Sequence, residues 1–200
     1  MTHEQHIAPT CVKGIVGLLG KKHSGKDTIF DTMLQLWNER VIEWRPVRFA
    51  FADLLKHEVA EKLELSIDEL NKRKNEPLIR STLQSYGSDK RAGNPLYWIN
   101  ALHAELGAKE SYPKTSGNHF IAVITDVRHF NEADYIRSIK GPLVKKIVRI
   151  YRKSADEVED NHESEVNVTR IPFDVSISND ASLLLLKNHV KYMLADMGVK

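Results

Sequence analysis

Cysteine is almost missing from this chain. Cys11 is the single one among 200 residues. No internal disulfide can staple the fold, and a reducing compartment is the natural expectation. Long hydrophobic runs are missing too: no stretch approaches the roughly 18 apolar residues that a membrane-spanning helix needs. Charge of one sign is scarce. The 29 Lys and Arg are nearly balanced by 27 Asp and Glu, leaving a net +2, too little for a broad electrostatic grip on nucleic acid. The nine histidines show no HxxxH-type spacing and meet no cysteine cluster, which argues against zinc. Repeats and low-complexity segments are absent. The start, Met1-Thr-His-Glu-Gln-His6, is polar, has no apolar signal core, and reads with residues 7–12 as a loose tail. What remains is an ordinary globular composition, 42% apolar and 28% charged, with length for one domain over 13–200.

One short stretch organises that domain. Ile15 to Leu19 is an apolar run that reads as a buried strand. It stops at Gly20, and Gly20-Lys-Lys-His-Ser-Gly25-Lys26 follows with the spacing of a phosphate-binding loop. After Lys26, the apolar positions Ile29, Phe30, Met33, Leu34 and Trp37 switch to helical spacing. Glycines let a backbone wrap closely around an anion with several N–H groups pointing inward. The helix adds the positive end of its dipole, and Lys26 adds a full charge. A nucleoside triphosphate held by its phosphates is the reading this supports. The usual loop has Ser or Thr directly after the lysine; here Asp27 stands there and Thr28 follows.

Further along, Pro46 to Phe51 reads as a second strand, and Asp53 can cap the helix after it. Ser66 and Glu69 form a capping box. Pro77 opens another helix, which Gly87 ends or interrupts. After Asn94-Pro95, the residues Trp98, Ile99, Leu102 and Leu106 share one helical side. Residues 52–107 are thus a helical block beside the sheet. Phe120 to Ile124 is a doubly covered strand ending in Thr125-Asp126-Val-Arg128, and a helix over 131–139 follows it. Residues 143–150 form the next strand. Residues 152–170 are polar, without a useful apolar period, and read as a mobile loop. Phe173 to Ile177 is a last strand, Asn179-Asp180 a turn, and Leu183 to Met197 the final helix. Five strands with helical connections predict an α/β fold: a parallel sheet flanked by helices. Ligands in such folds bind at the carboxyl ends of the strands.

The polar groups at those ends suit phosphoryl transfer, which needs positioned cations more than covalent chemistry. Lys26, Lys56, Arg80, Arg91, Arg128, Arg149 and Arg152 supply the cations. Asp27 and Asp126 are candidate partners for magnesium, which suits hard oxygen ligands and substrate phosphates. Asp126 has a second reading as the cap of the next helix, and Arg128 one as a surface arginine. Arg80, Gln84 and Arg91 lie in a helical block where surface positions are common. Trp98 fits a core position better than a base-stacking platform. Lys72-Arg-Lys74 reads as a solvated run. His162-Glu-Ser-Glu165 reads as a loop cap or a lid latch.

The loop Gly20-Lys-Lys-His-Ser-Gly-Lys-Asp-Thr28 resembles that of deoxynucleoside monophosphate kinases of the bacteriophage type, within the P-loop superfamily; animal phosphomevalonate kinases share a similar one. Arg48-Phe-Ala-Phe-Ala-Asp-Leu-Leu-Lys56 is similar to the kinases' second-strand signature. Arg80-Ser-Thr-Leu-Gln84, Tyr86-Gly87, Arg91 and Trp98 are similar to their acceptor-side block. Ile124 to Glu132 resembles their Asp-Val-Arg-x-x-Asn-Glu segment, His162 to Glu165 their His-x-Ser-Glu element, and Ile177 to Asp180 their final turn. The resemblance covers about residues 14–197.

The resemblance implies a nucleoside monophosphate kinase fold, ATP and magnesium as cofactors, and conversion of ATP plus dNMP to ADP plus dNDP. It implies that Gly20, Lys22, His23, Ser24, Gly25, Lys26, Asp27 and Thr28 hold the ATP phosphates, and that Asn179 and Asp180 touch the adenine. Asp53, Lys56, Arg80, Gln84, Arg91 and Trp98 would face the acceptor nucleotide. Asp126 and Arg128 would sit between the phosphates. A lid over 150–170, with Arg149, Arg152, His162 and Glu165, would close over them. The expected partners are small nucleotides, with no nucleic acid and no membrane; a homodimer stays open. The expected place is the cytoplasm, that of the host for a viral protein. The enzymatic rivals are kinases of phosphomevalonate or dephospho-coenzyme A on the same fold. The rival from another class is a nucleotide-binding switch. Arginines outside the loop favour a second phosphorylated substrate over a switch.

Overall fold

The structure, a computed structural model, describes residues 6–108, 119–157 and 163–199. Five strands form one parallel sheet: β1 (Val12–Leu19), β2 (Arg45–Phe49), β3 (Phe120–Val127), β4 (Val144–Tyr151) and β5 (Val175–Ser178). Their order across the sheet is β2-β3-β1-β4-β5. The central strand β1 pairs with β3 on one side, Val16 beside Val123, and with β4 on the other, Gly17 beside Ile147. The chain order therefore reverses across β1, and a crevice for ligands forms beyond its carboxyl end. The parallel α/β sheet read from the sequence is the observed one.

Period-two alternation splits β1 between two cores. Ile15 and Leu19 belong to the face covered by α5 (Tyr97–Ala108) and α6 (Phe130–Ser138). Val16 and Leu18 belong to the face covered by α1 (Lys26–Asn38) and α9 (Leu183–Asp196). Gly17 explains how closely α6 docks. A Cβ there would lie 2.7 Å from Ile136 Cδ1 and 2.9 Å from Ile147 Cδ1.

The helical block between β2 and β3 comprises α2 (Phe51–Lys62), α3 (Ile67–Arg73), α4 (Pro77–Gly93) and α5. It has a small core of its own, built on Val59, Ala60, Leu70 and Ile79. The Ser66–Glu69 capping box is present, with the Glu69 N–H 3.2 Å from Ser66 Oγ and the Ser66 N–H 2.9 Å from Glu69 Oε2. Pro77 takes the first turn of α4. All four apolar positions of α5, Trp98, Ile99, Leu102 and Leu106, are buried.

Several expectations need correction. β2 ends at Phe49, and Phe51 begins α2, with Ala50 as its N-cap. Asp53 is thus inside the helix, bound to Arg48 at 2.7 Å and Lys56 at 3.1 Å, and caps nothing. Gly87 does not break its helix: it lies within α4, against Leu55, and its carbonyl accepts the Trp98 indole N–H at 3.2 Å. The tail is shorter than expected. Ile7 pairs with Lys140 as a parallel bridge, Ala8 donates to the Lys140 carbonyl at 2.8 Å, and Ala8 is buried. The segment read as a mobile loop carries two short helices, α7 (Lys153–Asp156) and α8 (Glu163–Val168). Ala155, Val168 and Ile171 bury there, too few and too irregular to show as a period. Residues 158–162 of the expected lid lie outside the described residues, as do 109–118.

Candidate functional site

One cleft of about 710 Å³ runs from the loop after β1 to the side of α4. At one end is the loop itself. His23 (φ 65°) and Gly25 (φ 98°) take left-handed conformations two residues apart, which turns the chain around a concavity of N–H groups. Gly25 is also the N-cap of α1, so the helix dipole points into the same space. A side chain at Gly25 would be strained and would collide with Asn179, whose Nδ2 lies 2.0 Å from an added Cβ. Lys26 folds over the loop and donates to the carbonyls of Gly20 at 2.6 Å and Lys21 at 2.8 Å. Burial, and then the Arg128 charge, push its pKa down to about 8. An ammonium has three donors, so one remains for a ligand oxygen.

The middle of the cleft is set by β3. Both Asp126 carboxylate oxygens accept backbone N–H groups at the start of α2, from Phe51 at 2.9 Å and Ala52 at 2.8 Å. Asp126 is therefore a cap, of the helix 75 residues earlier rather than the next one. Its burial raises the pKa despite those donors. Arg128 reaches across to Glu165 of α8, whose other oxygen accepts the Lys22 N–H at 3.1 Å. Glu165 is only 5% exposed. A carboxylate thus bridges the phosphate loop and Arg128.

The opposite end is a stripe of α4. Arg80, Leu83, Gln84, Gly87, Ser88 and Arg91 recur at three- and four-residue steps and all line the cleft. Lys56, Leu55 and Trp98 complete that wall. Trp98 is 3% exposed, a core residue with one face toward the cleft. Across the whole lining, the cations Lys22, Lys26, Arg48, Lys56, Lys74, Arg80, Arg91, Arg128 and Arg152 outnumber the carboxylates Asp27, Asp126, Glu132 and Glu165. That excess suits two phosphorylated ligands held together.

The chain matches the deoxynucleotide monophosphate kinase family over residues 48–190. It belongs to that family. Membership makes it a phosphotransferase of nucleotides or related small molecules. No curated protein sequence matches it. Solved structures similar to it include TT1252 from Thermus thermophilus, at 15% identity and TM-score 0.49 over 93% of this chain and 98% of that one. Shikimate kinase from Bacteroides thetaiotaomicron is similar at 11% identity and TM-score 0.39, over 93% and 99%.

Of the residues the sequence singled out in this kinase, Lys22, His23, Gly25, Lys26, Asp27 and Thr28 line the cleft on the loop side. Lys56, Arg80, Gln84, Arg91 and Trp98 line it on the helical side, with Asp126, Arg128, Arg152 and Glu165 between. Gly20 and Ser24 back the loop instead. Ser24 Oγ is buried without a hydrogen-bond partner and sits where a Cβ on Gly20 would go, 2.5 Å from it. Asp53 stands behind Arg48 and Lys56; burial raises its carboxyl, and those two cations outweigh burial and hold it low. Arg149 is turned to Asp156 at 3.9 Å and lies over the Phe173 ring at 5.7 Å, away from the cleft. Asn179 and Asp180 do not line it either. His162 lies outside the described residues. Among the described residues no cluster of three or more His, Cys, Asp or Glu could hold a metal, and no helix is long and apolar enough to cross a membrane.

Glu132 is the residue the sequence hid best. It is 1% exposed, accepts the Arg128 N–H at 2.8 Å and the His129 N–H at 3.0 Å, and meets Arg91 at 3.3 Å. Burial, and then Asp126, raise its pKa to about 7. In the sequence it stood only as the last residue of the Asp-Val-Arg-x-x-Asn-Glu segment, with no role of its own. Lys74 and Asn75 belong to the cleft as well, with Lys22 Nζ 3.3 Å from Asn75 Oδ1. In the sequence, Lys74 reads as part of a solvated run.

Proposed function

We propose that this kinase transfers the terminal phosphoryl group of ATP to a deoxynucleoside monophosphate. One observation carries the reading: a phosphate loop and an arginine-bearing helix stripe face each other across one cleft, with Arg128 between them. In the reaction, an oxygen of the acceptor phosphate attacks the γ-phosphorus, and the bond from that phosphorus to the β-bridging oxygen breaks. The loop N–H groups and Lys26 hold the donor phosphates. Arg80, Gln84 and Arg91 hold the acceptor. Arg128 balances charge on the group in transit, and Glu132 fixes the Arg128 backbone. The attacking oxygen is already ionised, so no general base is needed, and the half-buried Asp126 keeps its capping role.

The residues fit magnesium. Asp27 is exposed on the cleft beside Thr28, and Asp126 retains lone pairs beyond its two N–H bonds. One or two carboxylates plus phosphates and water is the usual company of this ion. When bound, magnesium neutralises charge on the phosphate oxygens. Cytoplasmic nucleotide biosynthesis is the setting that fits this activity, and a homodimer is compatible with it.

The test is ADP release from ATP with dTMP, dGMP, dCMP, dAMP, their ribose forms, phosphomevalonate and dephospho-coenzyme A. Turnover with at least one deoxynucleotide supports the reading. Turnover with only one of the last two compounds overturns it, as does hydrolysis indifferent to every acceptor.

A further inference from the structure

The turn after β5 is tied to several parts of the site. Asn179 is anchored by its own N–H, which donates to the Tyr151 carbonyl at the end of β4, 2.8 Å away. Its side-chain Nδ2 donates to the Ser24 carbonyl at 3.0 Å. The same amide lies in the space that a Cβ on Gly25 would fill. Asn179 therefore grips the phosphate loop from behind, at the two residues that turn it into α1. The carbonyl it satisfies belongs to the buried Ser24, one residue before the left-handed Gly25. Without that donor the peptide between them loses a fixed orientation, and the N–H groups beyond it lose theirs. Next in the chain, Asp180 accepts the Lys153 N–H at 2.8 Å, at the start of α7 beside Arg152. One turn thus joins the donor loop to the segment carrying Arg152.

We propose that Asn179 is a positioning residue that sets the phosphate loop for polyphosphate through the Ser24 carbonyl, and that it does not select the donor base. The proposal rests on the reading of residues 20–28 as the seat of the donor phosphates. The reason for the amide is chemical. A carbonyl must be met by a donor, and an asparagine at the end of a fixed strand supplies one with little freedom left to lose.

The experiment measures binding of ATP, GTP and inorganic tripolyphosphate to the full chain, and steady-state KM and kcat, for wild type, Asn179→Ala, Asn179→Asp and Lys26→Ala. Losing a donor to a buried carbonyl should weaken all three polyphosphates by a common factor of about ten. Asn179→Asp, of the same shape but with no donor, should be at least as damaging as Asn179→Ala. The KM for the acceptor should stay put. Weakening of ATP alone, with tripolyphosphate unchanged, would make Asn179 a base contact and overturn the proposal. Unchanged binding of all three, an equal rise in the acceptor KM, or full rescue by Asp would overturn it too. Wild type binding tripolyphosphate no better than Lys26→Ala does would instead bring down the loop reading itself, and the proposal with it.

Discussion

At the donor end of the cleft, the loop hangs from the central strand and is gripped by groups from distant parts of the chain. Asn179 holds the Ser24 carbonyl, Glu165 the Lys22 N–H, and the Asp156 carbonyl accepts Lys21 Nζ at 2.9 Å. Beneath it lie two sheet faces packed with fully buried side chains. At the acceptor end, α2, α3 and α4 close on a core whose buried members are Val59, Ala60, Leu70 and Ile79 alone. Polar contacts there are mostly local or partly exposed, such as the Tyr86 and Tyr97 hydroxyls on Glu58 at 2.9 and 2.7 Å. Under the proposed reaction, the difference teaches how one cleft can serve two ligands. The donor seat is built by tertiary ties to the sheet. The acceptor wall is a small, nearly separate packing unit, and such units open at lower free energy than the global fold.

Four measurements break or sharpen that contrast. Lys26→Ala removes the donor-end cation and should cut turnover by about a hundredfold or more while leaving the fold intact, as seen by circular dichroism. Near-normal turnover would mean that the loop does not serve the chemistry. Leu70→Ala, remote from the cleft lining, should destabilise the acceptor unit by about 2–5 kcal/mol. Amide exchange should then speed up in α2–α4 but not in β1 and β3, with the acceptor KM rising more than that of ATP. Uniform acceleration across the sheet would erase the distinction between the two ends.

The third measurement is a matter of protons. Lys26 titrates near 8 in the ligand-free protein, and a bound polyphosphate favours its charged form. Binding of ATP at pH 8.5 should take up a proton, and at pH 6.5 that uptake should vanish; calorimetry in two buffers of different ionisation enthalpy reads both. Because the folded pKa lies below the unfolded 10.5, the unfolded chain binds more protons between about 8 and 10.5, and this residue's contribution to stability rises with pH there. Equal proton uptake at both pH values would place the perturbed group elsewhere. The smallest effect is at Ser66→Ala, which removes the cap of α3. It should cost about 1 kcal/mol, read from denaturant midpoints, with kcat retained. A loss of kcat instead would tie α3 to the chemistry.

The phosphate loop, the Ser66–Glu69 box and the buried face of α5 were legible in the sequence because each is a local pattern. Spacing within a turn or two of chain decides them. Arg80, Gln84 and Arg91 were legible as members of a helical block, and only the structure aligned them as one stripe lining the cleft. The reading of Asp126 as cap of the next helix failed because its partners are the N–H groups of Phe51 and Ala52, 75 and 74 residues away. Gly87 looked like a breaker because the groups it meets, the Leu55 side chain and the Trp98 indole N–H on its carbonyl, sit on other helices.

By itself, then, the sequence determined the parallel α/β plan, the loop with its lysine, and the arginines outside it that favour a second phosphorylated substrate. Hydrophobic period and glycine spacing are short-range properties, and a single chain carries them openly. Only the tertiary structure decided which groups meet. It set Asn179 behind Ser24 across 155 residues, Glu165 between the loop and Arg128, and Glu132 beneath Arg91. Those pairings depend on where strand ends converge, and burial, which fixes the charge and donor needs of each group, exists only once they have.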